Sequence, residues 1–395
     1  MATTQKTPFL EQDPSAETTQ KRTVEDVIRH LIPASAKLLA LVADGEGEVV
    51  EKKGMISKKS ADSTRVECFT NTPPEFVKTV VSVNSLVLTF AEVTEMYKKQ
   101  LWTNTKNNSV GIIDSISGND VTFVSVGAGT AFSAAADDVL MNIGNAYEEF
   151  SESPAYLQKA DDQVYNLLQT FRFPVAISGS AKTTKHLAGG DYFARMKKYN
   201  LIEGKRAIDR ALIFGKRASS GNKTTITGAS VATTMGLMGY AQHEYDAGGL
   251  MTPSLFRKNM ILRMDSSVGN DRKLIAFTSR EVVARILDWQ QDAYRVNTTG
   301  VLAKFGIKSH TMVTSGPDIE LVAHDAFDGR GGYNNQMLIF DPENVQYRFK
   351  NGRDLAPKIG IQNNSADGFM DEIIGEVGIL PLDGGASIMK VTNFF

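Results

Sequence analysis

Between Asp191 and Arg217, apolar side chains recur at Phe193, Met196, Leu201, Ile208, Leu212 and Phe214. Arg195, Lys197, Lys198, Lys205, Arg206, Asp209 and Arg210 fill most of the intervening positions. The spacing predicts one amphipathic helix. At about 1.5 Å per residue it would run roughly 40 Å, longer than the usual helix of a compact domain. The rest of the chain then has to be arranged along a beam. Gly204 is its weak point, since glycine costs a helix about 1 kcal/mol relative to alanine and can mark a bend. Taken alone, the stretch fits a long core helix of an α/β enzyme equally well.

Ahead of this beam the chain changes character several times. Residues 1–22 are polar, with Phe9 and Leu10 as the only sizeable apolar pair, and predict an arm that is free or laid on a neighbouring surface. Thr23 then precedes Val24, Val27, Ile28 and Leu31 as an N-cap would, and Ala36–Val42 is a second short apolar segment. From Gly45 to Lys59 the sequence is charged and glycine-punctuated, which predicts an exposed loop or hairpin tip carrying Lys52, Lys53, Lys58 and Lys59. Residues 77–143 are the most strand-like part, with Val110–Ile116 facing Val121–Val126 across the tight turn Ser117-Gly118-Asn119-Asp120. Residues 144–183, with Pro154 and mixed patterning, predict an extended excursion. Beyond the beam, helical stripes at 255–264 and 282–289 alternate with strands at 274–277, 311–314, 319–322, 337–340 and 345–349, and Thr278 with Glu281 fits a capping box. This half is an α+β domain.

Chemistry is hard to find. The histidines at 30, 186, 243, 310 and 324 are scattered, with no HExxH and no pair at i, i+4. Gly179-Ser180-Ala181-Lys182-Thr183 and Gly221-Asn222-Lys223-Thr224 lack the glycine that directly precedes the lysine of a phosphate loop. GxSxG is absent, and Gly127-Ala128-Gly129 lacks the third glycine of a dinucleotide fold. The acidic pairs Asp137-Asp138, Glu148-Glu149 and Asp161-Asp162 lie on polar, loop-like segments where solvation is the ordinary outcome. A single cysteine, Cys68, leaves no intramolecular disulfide and no cysteine-cluster metal site. The formal net charge of −2 lacks the footprint of a dedicated nucleic-acid binder. No stretch approaches the roughly 18 apolar residues of a membrane span, and the first residues have no basic start followed by an apolar block. The expectation is therefore no enzyme, with no catalytic, cofactor-binding or metal-ligating residue.

Several stretches carry a resemblance. They are Met337-Leu338-Ile339-Phe340-Asp341-Pro342-Glu343-Asn344-Val345-Gln346-Tyr347-Arg348 with Asn351-Gly352-Arg353, then Asp367-Gly368 and Gly375-Glu376-Val377-Gly378-Ile379. Phe305-Gly306-Ile307, Leu321-Val322-Ala323-His324, Ile143-Gly144-Asn145-Ala146-Tyr147-Glu148-Glu149 leading to Tyr165-Asn166, and Arg206–Lys216 complete the set. In their order they resemble the major capsid proteins of tailed bacteriophages with the Hong Kong 97-type fold, in the branch with a β-rich insertion before the spine helix. The specificity lies in the order, since each match is short.

The resemblance implies an α+β Hong Kong 97-type capsid fold. Its parts would be an N-terminal arm at 1–22, short helices of the peripheral region at 23–44, and an extended loop at 45–183 carrying a β module at 87–146. The spine helix of the peripheral domain would occupy 184–224, an axial domain 225–370, and strands returning to the peripheral domain 371–395. It implies a virion protein that self-assembles into pentamers and hexamers, forming an icosahedral shell around double-stranded DNA. Separate scaffolding, portal and decoration proteins would be partners, with non-specific proximity to packaged DNA and no membrane. Candidate intersubunit contacts are Phe9, Leu10, Lys52, Lys53, Lys58, Lys59, Lys197, Lys198, Arg206 and Arg210. The short span before the first helix implies that any scaffold is a separate protein. Three alternatives remain open: a nanocompartment shell around a cargo enzyme, a tail or sheath subunit, and an α/β enzyme whose site is assembled from distant residues.

Overall fold

The computed structural model describes residues 36–42, 55–70, 76–126, 131–149, 161–184, 191–218, 223–226, 228–249, 251–264, 272–289, 296–297, 309–312, 317–328, 333–365 and 367–395. They fall into two compact units: a main unit of residues 1–70 and 163–395, and a second unit, Asn71–Asp162, inserted in its sequence.

The long helix forms as Tyr192–Phe214, 23 residues, or about 34 Å. Asp191 caps it by accepting from the backbone N–H of Phe193 and Ala194, at 2.9 and 3.3 Å. It stops at Gly215, where a Cβ would lie 2.4 Å from the carbonyl oxygen of Ala211 and 2.5 Å from that of Thr234. Helix continues through Gly204 without a break. The glycine there serves close packing, because a Cβ would meet the Phe173 ring at 2.8 Å. Gly204, Ile208, Asp209, Leu212 and Ile213 form the buried stripe.

That stripe packs on a five-stranded sheet. Its order is Ser57–Ala61, Val345–Lys350, Gly368–Pro381 and Gln169–Ser178, with Ala356–Lys358 also paired to Gly368–Pro381. Ser57–Ala61 lies parallel to Val345–Lys350, and the other pairs are antiparallel. Two expectations are corrected here. Lys58 and Lys59 belong to a sheet strand, and Gln169–Ser178 is a fully paired strand, so the span 45–183 is not one extended excursion. Neither the charge pattern of the first nor the proline of the second reveals a partner more than 190 residues away. The pair Arg65–Thr70 and Asp162–Leu167 stands where the chain leaves and re-enters the main unit.

A seven-stranded sheet completes the main unit, in the order His243–Asp246, Ile388–Thr392, Met337–Phe340, Lys273–Thr278, Asp318–Ala323, His310–Met312 and Val296–Asn297. Its central strands are buried on both faces, which explains their nearly continuous apolar runs. Ile275, Phe277, Val322, Leu338, Phe340 and Ile388 join the core that also contains Ile208 and Leu212 of the long helix. Leu274, Ala276, Ile319, Leu321, Ile339 and Met389 face a second core with Phe256, Val282 and Ile286 of the helices Pro253–Met264 and Arg280–Asp288. The latter helix is capped by Ser279, which accepts from Val282 N–H at 3.2 Å, and not by Thr278. The expected boundary at 370/371 also differs. Val345–Lys350 already lies in the sheet beside the long helix, whereas Ile388–Thr392 is enclosed in the seven-stranded sheet.

The inserted unit is a closed barrel of six strands: Val77–Asn84, Val87–Phe90, Asp120–Ser125, Val110–Ser117, Gln100–Asn104 and Val139–Asn145 in spatial order. Gly118 supplies the positive φ, 61°, that its two-residue hairpin turn needs. Val80, Leu88, Phe90, Trp102, Ile113, Val121, Phe123 and Leu140 fill the interior, and Phe132 lies against Phe123 with centroids 4.9 Å apart. Closure comes from antiparallel pairing of Val77–Thr79 with Val139–Met141, so the barrel covers the strand-like stretch read at 77–143, and the module implied at 87–146 begins at Val77 instead. The first strand of the series, Val77–Asn84, pairs with the last, Val139–Asn145, which no local pattern specifies.

Candidate functional site

Asp209 occupies a position on the long helix that its neighbours Ile208, Leu212 and Ile213 make apolar, and only 2% of its side chain is exposed. A carboxylate there requires partners, because burying it unpaired would cost several kcal/mol. It finds them in two other elements. Oδ1 accepts from the backbone N–H of Leu39 at 3.0 Å, on the short helix Lys37–Ala40. Oδ2 lies 2.7 Å from Nε2 of His324, which follows the strand Asp318–Ala323. His324 Nδ1 accepts from the N–H of Ala326 at 3.1 Å, which assigns the ring proton to Nε2 and makes that nitrogen the donor to Asp209. Lys37 donates to the carbonyl of Ala323. Burial lowers the Lys37 pKa from its ordinary value, and the nearby Arg280 adds to that while Asp325, Asp328 and Asp209 oppose it. The group is a polar lock joining the short helix, the long helix and the seven-stranded sheet. Asp209 and His324 also line a cavity of about 160 Å³ with Arg206, Arg210 and Asp325. Among the described residues, its lining is completed by Ala36 and Ala326.

Around the five-stranded sheet the charges are paired. Arg172 and Glu372 form a bidentate pair, with Arg172 NH2 2.8 Å from Oε2, and this bond holds Glu372 below the usual glutamate value. Lys197 pairs with Asp371, lowering the aspartate, and stands 4.3 Å from the Phe193 ring centroid. Arg353 and Lys350 both approach Glu376, at 3.3 and 3.5 Å. The Asp341-Pro342-Glu343-Asn344 turn is set by Asp341, which caps it through Glu343 N–H at 2.9 Å and receives Arg272 at 2.7 Å. A second cavity, of about 590 Å³, opens between the short helix, the long helix and this sheet, lined by Leu39, Ile202, Tyr347 and Leu355 with Lys58, Lys205 and Asp354.

These positions sort the candidate contacts. Phe9, Leu10, Lys52 and Lys53 lie outside the described residues. Lys58 pairs with Asp354 and sits 5.0 Å from the Phe349 ring centroid, Lys197 pairs with Asp371, and Arg206 pairs with Glu203 at 2.7 Å. Those three charges are engaged within the chain. Lys59, Lys198 and Arg210 are exposed to solvent. The Asp209–His324 pair was missed by sequence reasoning because its members are 115 residues apart. The one available signal was an aspartate four residues before Ile213 on the apolar stripe. Among the described residues, no group of three or more His, Cys, Asp or Glu is placed to hold a metal ion. None of their helices is long and apolar enough to cross a membrane.

No curated protein sequence matches the chain. Solved structures of similar shape include an encapsulin complex from Synechococcus elongatus, at 10% identity and TM-score 0.47, covering 96% of this chain and 95% of that one. The structure titled Microbacterium phage Oxtober96 matches at 12% identity and TM-score 0.46, covering 98% and 99%. The capsid of Myoviridae phage XM1 matches at 11% identity and TM-score 0.45, covering 94% and 96%. None of these likenesses assigns a function. The family model for the SU10 major capsid protein, by contrast, matches residues 2–382. That match takes in the long helix, the barrel and every described strand except Ile388–Thr392, and the chain belongs to the SU10 major capsid protein family.

Proposed function

We propose that the chain is the repeating subunit of an icosahedral shell, built of hexamers and pentamers, that encloses the double-stranded DNA of a tailed phage. The observation that carries the reading is the family match across residues 2–382. Physical features agree with it. Asp209 and His324, a carboxylate and an imidazole in contact, lock elements together, and the paired charges around the five-stranded sheet stiffen it. A shell subunit must be rigid enough to repeat many contacts identically, and closed rings of identical copies form when the same two surfaces meet head to tail. Its role is structural, with no catalytic step. Among the described residues, exposed Lys59, Lys198 and Arg210 are the candidate contacts that face solvent.

Negative-stain electron microscopy of the full chain, alone and co-expressed with its genomic neighbours, tests this. Closed shells containing DNA, or able to take it up, are the expected result. Tubes would assign the chain to a tail, shells filled with a cargo protein would make it a nanocompartment, and only small particles in both samples would overturn the shell reading.

A further inference from the structure

Two cations of the five-stranded sheet stand together without a counter-charge. Lys59 is the register partner of Arg348, and Lys350 follows two residues on in the same strand. Lys58 sits by the Phe349 ring, and Tyr347 and Phe349 enter the core with Ile208, so alternation turns Lys59, Arg348 and Lys350 to the opposite face. Glu372 and Glu376, the carboxylates that Gly368–Pro381 adds to that face, are occupied. Lys350 and Arg353 take Glu376, and Arg172 takes Glu372. Neither Lys59 nor Arg348 has an ion-pair partner among the described residues.

Arg348 is half-buried. Its Nε is enclosed with no acceptor, while its terminal nitrogens reach the surface beside exposed Lys59. Burial lowers the Arg348 pKa, and the neighbouring group that opposes this is Cys68. Burial also raises the Cys68 pKa, so the thiol stays neutral and supplies no charge. Like charges opposite one another on adjacent strands repel, and a partly desolvated guanidinium without a counter-ion costs stability. The pair therefore fits an oxyanion that the folded chain does not itself provide, with a guanidinium fork and an ammonium meeting its oxygens. Its isolation selects the kind of oxyanion. Duplex DNA, with a charge about every 1.7 Å, rewards a run of free cations, whereas Arg172, Lys350 and Arg353 on this face are already engaged. A single carboxylate suits a single open pair, and the chain has such groups to offer: Asp62 and Asp114 are exposed with no ion pair among the described residues.

We propose that Lys59 and Arg348 form an oxyanion notch that receives a carboxylate side chain of a second copy of this chain. The contact repeats head to tail through the assembly. A free subunit carries an uncompensated cation pair that assembly neutralises, so the notch favours the assembled state over the free one. The inference rests on the reading of the chain as a shell subunit.

The test uses the full chain. Shells assembled from a mixture of heavy-isotope-labelled and unlabelled chains are treated with a carbodiimide, which joins an amine to a touching carboxylate, and digested for mass spectrometry. The expected product is a Lys59 peptide amide-linked to an Asp or Glu peptide, with mixed-label pairs present. Lys59→Arg shells, which keep the charge without the amine, should lack it. In parallel, Arg348→Gln should raise the protein concentration needed for assembly by about tenfold. The denaturant midpoint of the unassembled chain should stay unchanged or rise, because an uncompensated charge has been removed. A lowered midpoint would make Arg348 a structural residue of the single chain and overturn the notch. Lys59 coupled only to same-label peptides would put an acid of its own chain there, and an Arg348→Gln defect seen only with DNA present would make a phosphate the occupant; either overturns the proposal. Wild-type shells with no Lys59 product and an unchanged Arg348→Gln threshold would sink it while leaving the shell reading standing. Failure of the wild type to assemble at all would remove the shell reading, and this inference with it.

Discussion

Asp209 converts a helix face into a fastening. Its two oxygens accept from Leu39 N–H and His324 Nε2, so removing the carboxylate leaves two buried donors unsatisfied. Asp209→Ala should lower unfolding stability by about 2–4 kcal/mol, read from denaturant midpoints at unchanged slope, with Asp209→Asn costing less because it keeps one acceptor. Asp138 does comparable work in the barrel, accepting from Ala135 N–H at 2.8 Å, Asn104 Nδ2 at 3.0 Å and Lys106 Nζ at 3.1 Å. Those bonds, the Ala135 backbone bond foremost, hold its pKa at about 2. A depressed folded pKa stabilises above the unfolded aspartate's value near 3.9 and loses that contribution as pH falls through the folded one. The barrel should therefore weaken between about pH 4 and pH 2, followed by the fluorescence of buried Trp102, and Asp138→Asn should weaken it at neutral pH and remove that acid limb.

The long helix shows how an element's context reverses a propensity. In an exposed helix, Gly→Ala gains about 1 kcal/mol. At Gly204 the added Cβ would press on Phe173, whose ring stacks with Phe171 at 6.4 Å between centroids. Gly204→Ala should instead destabilise by about 1–3 kcal/mol. In the Phe173→Leu background the same change should be neutral or stabilising, and a double-mutant cycle of thermal midpoints measures the coupling. The existence of this helix was legible from period and composition, and so were the 255–264 and 282–289 helices and the strands at 273–278, 310–312, 318–323, 337–340 and 345–350. The role of Gly204 was not legible, because Phe173 arrives from a strand whose pairing with Gly368–Pro381 spans some 200 residues.

The whole molecule divides into units that carry separate cores. The barrel interior is closed by its own strands, so calorimetry of the full chain should resolve two transitions, and replacing residues 71–162 by a short Gly-Ser linker should remove one of them. Two transitions merging into one, insensitive to that deletion, would contradict it. The sequence by itself determined the elements: the amphipathic beam, the strand-rich insertion with its Gly118 turn, the apolar central strands, and the ordered set of short matches that resemble a capsid protein. Local side-chain periodicity and turn chemistry are properties of neighbouring residues, so they survive without knowledge of the fold. Only the tertiary structure decided that the barrel closes through Val77–Thr79, that Ser57–Ala61 and Gln169–Ser178 join the same sheet, and that Ile388–Thr392 ends inside the other. It also decided that Asp209 meets His324 and that Lys58, Lys197 and Arg206 are engaged while Lys59, Lys198 and Arg210 stay exposed. Those outcomes depend on contacts between residues far apart in the chain, whose free energy exists only once both partners have been brought together.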